Sequence, residues 1–160
     1  NYLDLLEEVF LVLPIPKFSF KVKEQMKEKK KNYIVDTGII NYISYQFSKN
    51  IGRLYENLVA IELLRKNKEG YYFETKEGYE VDFVIKQGTR VNQLIQVCYD
   101  LSNEETMKRE IRGLLHASKQ LKCKNLLIIT DDYEGVKEIS WFGIKRKIKY
   151  MPLWKWLLVD

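Results

Sequence analysis

The spacing of apolar residues divides most of the chain into predicted elements. Helical periodicity is strongest at 53–66, in a stretch rich in Leu, Glu, Ala and Arg. A second helix is predicted to follow the N-cap sequence at 102–105 and to end near Leu121. Weaker helical patterns occupy 39–47 and 153–158. Strand patterns occupy 33–35, 71–75, 79–86, 91–99 and 126–130, and one more strand ends near Met151.

The first part of the chain follows another pattern. Residues 2–9 have helical spacing, 10–13 form an apolar run, and 17–21 alternate like a strand after two prolines. Helix, strand, proline turn and strand are the order in which a winged-helix module ends, so we expect the earlier helices of that module to precede this sequence in a longer protein. We predict the end of a winged helix and a basic connector at 1–31, followed by an α/β domain at 32–160.

The composition is that of a globular protein. The 160 residues are 46% hydrophobic and 31% charged, which excludes a disordered tail and allows one ordinary domain with a small appendage. We expect no membrane partner and no secretory segment, because no apolar run approaches the length that crosses a bilayer. Two cysteines, Cys98 and Cys123, are too few for a disulfide framework, so we expect a reducing, cytoplasmic location.

The net charge of +5 comes from 27 basic and 22 acidic residues and is unevenly distributed. Seven lysines and two glutamates lie between Lys17 and Lys31, so this segment alone accounts for the whole net charge. One interpretation is a solvated connector, and the other is a strip that binds the phosphates of DNA together with a second basic cluster. The candidate residues of this strip are Lys29, Lys30, Lys31, Lys145, Arg146 and Lys147.

Carboxylates on two predicted elements are candidates for a site. Glu56 shares a helix face with Val59 and Leu63, where a carboxylate is costly to bury unless another group pairs with it. The alternative role of Glu56 is that of a first-turn glutamate that the helix dipole favours. The predicted strand at 79–86 carries the other candidates. Alternation places Glu80, Asp82, Val84 and Lys86 on one face of this strand and Tyr79, Val81, Phe83 and Ile85 on the other.

The predicted order from Gly52 onward is helix, three strands, helix and strand. This order, with a mixed sheet between helices, resembles the α/β/α core of the restriction-endonuclease-like PD-(D/E)XK superfamily. Its nucleases carry an acid on one strand and Glu-x-Lys on the next, because carboxylates bind Mg²⁺ or Mn²⁺ and the lysine supplies positive charge beside the phosphate. Asp82 fills the first position, but Gln96, Val97 and Cys98 stand where Glu-x-Lys is expected. A thiol carries no positive charge and is a poor ligand for Mg²⁺.

Six segments of the chain resemble the C-terminal domain of archaeal-type ATPases of the AAA/STAND kind, namely 33–38, 54–59, 80–85, 95–100, 109–111 and 152–154. In that family a P-loop ATPase domain comes first, then a winged helix, then the nuclease-like domain. The resemblance implies that ATP binds to an upstream domain of the same polypeptide, and that the role of this domain is DNA-related or regulatory. The sequence itself contains no Gly-x-x-x-x-Gly-Lys-Ser/Thr motif.

The candidate site leaves alternative functions open. We expect Glu56, Asp82 and Gln96 to converge as a degenerate catalytic site, with Cys98 at the lysine position and oxygens for a weak Mg²⁺ or Mn²⁺ site. In the first hypothesis the domain has lost hydrolysis and binds DNA or a partner for the ATPase. In the second it is an active Mg²⁺- or Mn²⁺-dependent endonuclease, in which another lysine such as Lys86 supplies the missing charge. A structural appendage that holds subunits of a homo-oligomer together is the third.

Overall fold

The computed structural model describes residues 2–43 and 51–159. The helices in this part of the chain are α1 (Tyr2–Glu8), α2 (Val22–Gln25), α3 (Thr37–Ile43), α4 (Ile51–Arg65), α5 (Glu104–Gln120) and α6 (Leu153–Leu157). The strands are β1 (Val12–Ile15), β2 (Lys31–Ile34), β3 (Glu69–Glu74), β4 (Glu80–Gln87), β5 (Arg90–Val97), β6 (Leu126–Thr130), β7 (Gly135–Trp141) and β8 (Ile144–Pro152). The predicted helix at 39–47 is present as far as Ile43, and its remainder lies outside the described residues.

A mixed sheet of six strands forms the centre of the fold, in the order β3-β4-β5-β6-β8-β7. The strands β5, β6 and β8 are parallel to one another, whereas β3, β4 and β7 join the sheet by antiparallel pairing. A separate antiparallel pair, β1 with β2, lies outside this sheet. The α/β class with a mixed sheet, predicted from the order of elements, is confirmed.

Helices cover both faces of the six-stranded sheet. The core between the sheet and helices α4 and α6 buries the side chains of Val59, Leu63, Phe83, Ile95, Leu127 and Trp156. The core between the sheet and α5 buries those of Leu94, Leu114, Leu115, Ile128, Ile148 and Tyr150. All five residues of β6 are buried, as its continuous apolar run predicts for a strand with a helix on each face.

The predicted strand at 17–21 is wrong. The segment contributes an isolated bridge between Lys17 and Tyr72, and β1 pairs with β2 instead of with this segment. The Phe18 amide donates to the carbonyl of Tyr72, and the Phe18 ring packs edge-on against Tyr71 in the core. The alternation of residues 17–21 therefore reflects one buried aromatic side chain at the edge of β3, and not a hairpin with β1.

A β-bulge interrupts the alternation of β4. Tyr71 of β3 pairs with Val84 of β4, and Phe73 pairs with Val81. Between these two pairs β4 has two residues, whereas β3 has one. Val81 therefore joins Val84 in the core beneath α5, whereas Phe83 packs in the core beneath α4. The prediction that Val81 and Phe83 share a face is wrong, because strict alternation contains no extra residue. Asp82 lies within this bulge, a feature that re-aims side chains and is common beside functional sites.

The division of the chain at residue 31 stays a prediction, and it would fall on the first residue of β2. The strand β7, which the sequence did not predict, is an edge strand with mostly exposed residues and a weak apolar pattern. Within the described ranges, every helix is too short or too polar to cross a lipid bilayer.

Candidate functional site

A cleft of about 900 Å³ opens where β4 begins and β5 ends, between the first turns of α4 and the first half of α5. Its lining is polar and acidic, and includes Glu56, Glu80, Asp82, Gln96, Cys98 and Glu110. The structure thus brings the predicted site residues Glu56, Asp82 and Gln96 together, although they come from a helix and two strands. Antiparallel pairing places the start of β4 beside the end of β5, which explains why Asp82 and Gln96 meet.

Lys31 places a positive charge at the acidic side chains of this cleft. Its Nζ atom lies 2.6 Å from Oε1 of Glu80, 3.0 Å from Oε1 of Glu56 and 3.6 Å from Oδ1 of Asp82. The side chain is only 23% exposed. Its position in the sequence groups Lys31 with the candidate DNA-binding lysines, whereas the structure directs its charge towards three carboxylates at the cleft.

Hydrogen bonds from α4 fix the strand β2 that carries Lys31. The buried Asn57 side chain accepts from the Ile34 amide at 2.8 Å and donates to the Ile34 carbonyl at 2.6 Å. The Tyr33 hydroxyl donates to Oε1 of Glu56 at 2.6 Å. The Asn57 side chain thus takes the place of a neighbouring strand at the edge of β2. It thereby holds Lys31, at the start of the same strand, near the cleft.

We expect Asn57→Ala to lower the free energy of unfolding by about 2 kcal/mol, because both backbone groups of Ile34 lose a partner. Urea denaturation measures this loss, and Asn92→Ala, at an exposed position of β5, serves as the matched control with a loss below about 0.5 kcal/mol. Equal losses in the two variants would show that Asn57 does not anchor β2.

A chain of hydrogen bonds joins the centre of the cleft to α5. The Val97 amide donates to Oδ2 of Asp82 at 2.9 Å, and the Asp82 amide donates to Oε1 of Gln96 at 3.2 Å. Nε2 of Gln96 then donates to Oε2 of Glu110 at 2.5 Å. A glutamate carboxylate at position 96 has no N–H to offer to Glu110, so the amide at this position is matched to its neighbour.

The electrostatics of the cleft oppose the ionisation of Asp82. Burial, followed by the charge of Glu56, raises the pKa of Asp82 well above its ordinary value, although Lys31 and the Val97 N–H act in the opposite direction. For Lys31, burial lowers the pKa, but Asp82, Glu56 and Glu80 together outweigh it and the net pKa is raised. Lys31 is therefore a permanent cation at neutral pH, and it balances part of the negative charge of the cleft.

Cys98, at the position where the nuclease pattern has lysine, is a buried neutral thiol. Its side chain lies in the core beneath α5. Burial, followed by the charges of Glu110 and Asp100, raises the pKa of Cys98 to about 11. The thiol is therefore protonated at neutral pH and supplies neither a positive charge nor a thiolate nucleophile.

The arrangement does not fit a bound divalent ion. Oxygen ligands of Mg²⁺ stand at about 2.0–2.1 Å, in near-octahedral geometry. Three of the carboxylates in the cleft instead surround an ammonium group at 2.6–3.6 Å. Across residues 2–43 and 51–159, no three Asp, Glu, His or Cys side chains are grouped closely enough to hold a metal ion. In this structure Lys31 is the cation that the carboxylates hold.

The other basic candidates lie away from these contacts. Lys86 is near the far end of β4, where its Nζ lies 3.6 Å from Oε1 of Glu69, so the structure does not place it at Asp82. Lys29 is exposed, and Nζ of Lys30 lies 3.9 Å from Glu7. On β8, Lys145 pairs with Glu138 at 2.8 Å and Lys147 is exposed.

Arg146 differs from the two lysines beside it. Its Nε donates to the buried Ser118 hydroxyl of α5 at 2.7 Å. Because side chains alternate along a strand, Lys145 and Lys147 share the opposite face of β8. The structure therefore separates Arg146 from the other members of the second basic cluster.

The predicted catalytic site did not include Glu110, which lines the cleft, or Lys31 and Tyr33, which contact its carboxylates. For Glu110 a usable signal exists, because it precedes the buried Gly113 and Leu114 by three and four residues, as Glu56 precedes Val59 and Ala60. Lys31 and Tyr33 have no comparable signal in the sequence, since their position depends on how β2 packs against α4.

Comparisons with known proteins show two family matches. Residues 51–155 match a family described as "Domain of unknown function (DUF4143)", and residues 1–50 match "Domain of unknown function (DUF8612)". An uncharacterized protein of Methanocaldococcus jannaschii is 39% identical over 163 residues, which cover 99% of this chain and 35% of that protein. An uncharacterized protein of Haemophilus influenzae is 31% identical over 142 residues, which cover 88% of this chain and 33% of that protein. The chain spans about a third of the length of these curated relatives.

One solved structure with a partial likeness is a half-complex of Thermococcus gammatolerans McrB AAA+ hexamers with bound McrC. The likeness has a TM-score of 0.42 at 13% identity, and covers 63% of this chain and 27% of that one. The family match at 51–155, by contrast, extends over more than half of the chain and includes α4, the six-stranded sheet and α5. The chain therefore belongs to the DUF4143 family.

Proposed function

We propose that this chain is a nuclease-like domain that has lost phosphodiester hydrolysis and that binds DNA or a protein partner for an ATPase in the same polypeptide. The observation that carries this proposal is the position of Lys31. Its ammonium group contacts Glu56 and Asp82, two of the predicted metal ligands, together with Glu80. The cleft therefore keeps the arrangement of acids and holds an internal cation in the place of an external one.

The chemistry of hydrolysis explains why this arrangement is inactive. Cleavage of a phosphodiester requires a bound cation that polarises the phosphate and positive charge where negative charge develops. The charge of Lys31 is already neutralised by its carboxylate partners, and Cys98 adds none. The cleft lining holds more carboxylates than arginines, and Arg109 is already paired with Glu110 at 2.7 Å, so a phosphate group that enters the cleft would meet a net negative charge.

The association with an ATPase is supported by the sequence. The segments that resemble archaeal-type ATPases fall on β2, α4, β4, β5 and α5, and on the junction of β8 with α6. The mixed sheet between helices is also the architecture that this resemblance implies. ATP would bind to the upstream domain of such a polypeptide, with the end of a winged helix at 1–31 as the connection.

A second candidate function is an active Mg²⁺- or Mn²⁺-dependent endonuclease, which one observation favours. Lys31 supplies a positive charge 3.6 Å from Oδ1 of Asp82, and so replaces the charge that Cys98 lacks. In this alternative Glu56, Glu80 and Asp82 would hold a divalent ion that polarises the phosphate, and Lys31 would stabilise the charge on the attacked phosphate.

A cleavage assay separates the two candidates. Plasmid and end-labelled linear DNA are incubated with the purified chain and millimolar Mg²⁺ or Mn²⁺, beside Asp82→Ala as the matched control. We expect the unmodified chain to cut no faster than this control. Robust cutting that disappears in both Asp82→Ala and Lys31→Met would contradict the proposal and establish the second candidate.

A further inference from the structure

The topology gives the domain two chemically different ends. Because β5, β6 and β8 are parallel, their carboxyl ends meet at one end of the sheet and their amino ends at the other. Acidic residues follow the carboxyl ends of β5 and β6, namely Asp100, which lines the cleft, and Asp131 and Asp132. Exposed basic residues lie at the amino ends, namely Arg90, Lys122, Lys124, Lys145 and Lys147. We call this second set of residues the basic end.

The β7–β8 hairpin extends beyond the start of β6, as β5 also does from Arg90, because Leu94 and Ile148 are both level with Leu126. Ile148 of β8 is level with Leu126, the first residue of β6, so four residues of β8 precede that level. At about 3.3 Å per residue, this part of the hairpin projects by about 13 Å. Its Lys145 and Lys147 point to one face, where they stand about 6.6 Å apart along the strand.

The turn of the hairpin carries an exposed aromatic ring in an unfavourable backbone conformation. Phe142 has a φ of 43° and is followed by Gly143 with a φ of 74°. Two-residue turns with positive φ at both positions favour Asn-Gly, and a bulky residue is disfavoured there. The Phe142 ring is 84% exposed, with its centroid 5.0 Å from that of Trp141. Neither turn geometry nor burial in the core accounts for phenylalanine at this position.

We propose that the basic end binds nucleic acid, with lysines of β8 and of the α5–β6 loop on the phosphates and Phe142 stacked on a base. This inference rests on the DNA-binding part of the proposed function and is independent of the state of the cleft. An exposed ring beside spaced cations matches the two chemistries of a nucleic-acid strand, a π-face on every base and a charged backbone. Lys145 and Lys147 point to the same face of β8, where Lys145 also pairs with Glu138 of β7 at 2.8 Å and would exchange this partner for a phosphate.

Fluorescence anisotropy with a labelled oligonucleotide, as a single strand and as a duplex, tests the lysines. We expect Lys145→Gln/Lys147→Gln to bind at least tenfold more weakly than the unmodified chain. The slope of log K against log salt should decrease by about 1.4–1.8, since two phosphate contacts are lost. The matched control is Lys108→Gln/Lys155→Gln, which removes two exposed lysines that pair with Glu104 and Glu134 elsewhere on the surface, and its affinity should stay within twofold.

The variant Phe142→Asn tests the ring. Asparagine suits the positive φ of this turn, so the melting temperature should not fall. Loss of one stacked base should weaken binding about tenfold without a change in the salt slope. The duplex and single-strand probes show which form the basic end prefers, and both forms present the same backbone chemistry.

Several outcomes would overturn this inference. One is equal affinity of the β8 variant and its control for both probes. Another is binding of polyglutamate of matched charge as tight as that of DNA, which would assign the basic end to acidic proteins. A loss of DNA binding in Lys29→Gln/Lys30→Gln but not in the β8 variant would overturn this inference alone and leave the proposed function standing. The absence of DNA binding by the unmodified chain would overturn both this inference and the DNA-binding part of the proposed function, and would leave its protein-partner part.

Discussion

Lys31→Met should lower the free energy of unfolding by about 3 kcal/mol at neutral pH. Methionine keeps the length of the side chain and its packing, but it removes the charge that balances Glu56, Glu80 and Asp82. Removal of one partner from a buried ion pair is strongly destabilising, because the remaining charge is left without compensation. Denaturation by urea measures the loss.

The loss should depend on pH in a defined direction. Asp82 has a raised pKa in the folded protein, so its protonated form favours folding at low pH, and this contribution disappears as the pH rises through the folded-state pKa. Lys31 opposes that rise in pKa, so Lys31→Met should raise the pKa of Asp82 further. The difference between Lys31→Met and the unmodified chain should therefore be smallest at about pH 4, where Asp82 is protonated in both folded chains, and should grow as the pH rises through the raised pKa of Asp82.

Lys86→Met is the matched control for this prediction. Lys86 pairs with Glu69 alone, at 3.6 Å and at a more exposed position. Pairs of this kind contribute about 0–1 kcal/mol, and no pH-dependent difference of the predicted size is expected. If both methionine variants lose the same free energy at every pH, the proposed charge balance in the cleft is incorrect.

Lys31→Met should also allow the carboxylates of the cleft to move together around a divalent cation, which their present arrangement around Lys31 does not permit. Without the ammonium group, the carboxylates of Glu56, Glu80 and Asp82 repel one another until another cation arrives. A ligand that binds only the folded state stabilises it, by about 2.7 kcal/mol at 100 times its Kd. We expect millimolar Mn²⁺ to stabilise Lys31→Met by about this amount and the unmodified chain by less than about 0.5 kcal/mol.

The double variant Lys31→Met/Asp82→Asn tests whether that gain arises in the cleft. Removal of the second charge should abolish most of the Mn²⁺ stabilisation, because an amide is a weaker ligand for a hard cation than a carboxylate. Stabilisation by Mn²⁺ that is equal in the unmodified chain and in both variants would place the ion elsewhere, and Lys31 would then not substitute for a metal.

The sequence predicted the central sheet because its strands have simple environments. The strand β6 is buried on both faces and reads as a continuous apolar run, and β5 alternates without interruption from Leu94 to Cys98. The sequence predicted the extent of β4 but placed Val81 on the wrong face of the strand. The extra residue that changes the face of Val81 can be recognised only from the pairing of β4 with β3. The hydrophobic pattern of β4 alone does not contain this information.

The candidate site was predicted in part for a similar reason. Glu56, Asp82 and Gln96 belong to elements whose pairing follows from the chain order, and the structure places them in one cleft. Lys31 is a neighbour of Lys29 and Lys30 in sequence, and composition alone gives the three lysines one role. Only the docking of β2 onto α4, through Asn57 and Ile34, separates the lysine of the cleft from those of the surface.

The acidic cleft and the basic end lie at opposite ends of the parallel strands. The field of a polyanion would therefore attract the basic end and repel the carboxylates of the cleft, and so orient the domain before contact. The cleft would then face away from a bound nucleic acid, towards the opposite side of the encounter complex. A macromolecule that reaches the cleft in this orientation would be a second binder, and positive charge on its surface would speed its approach.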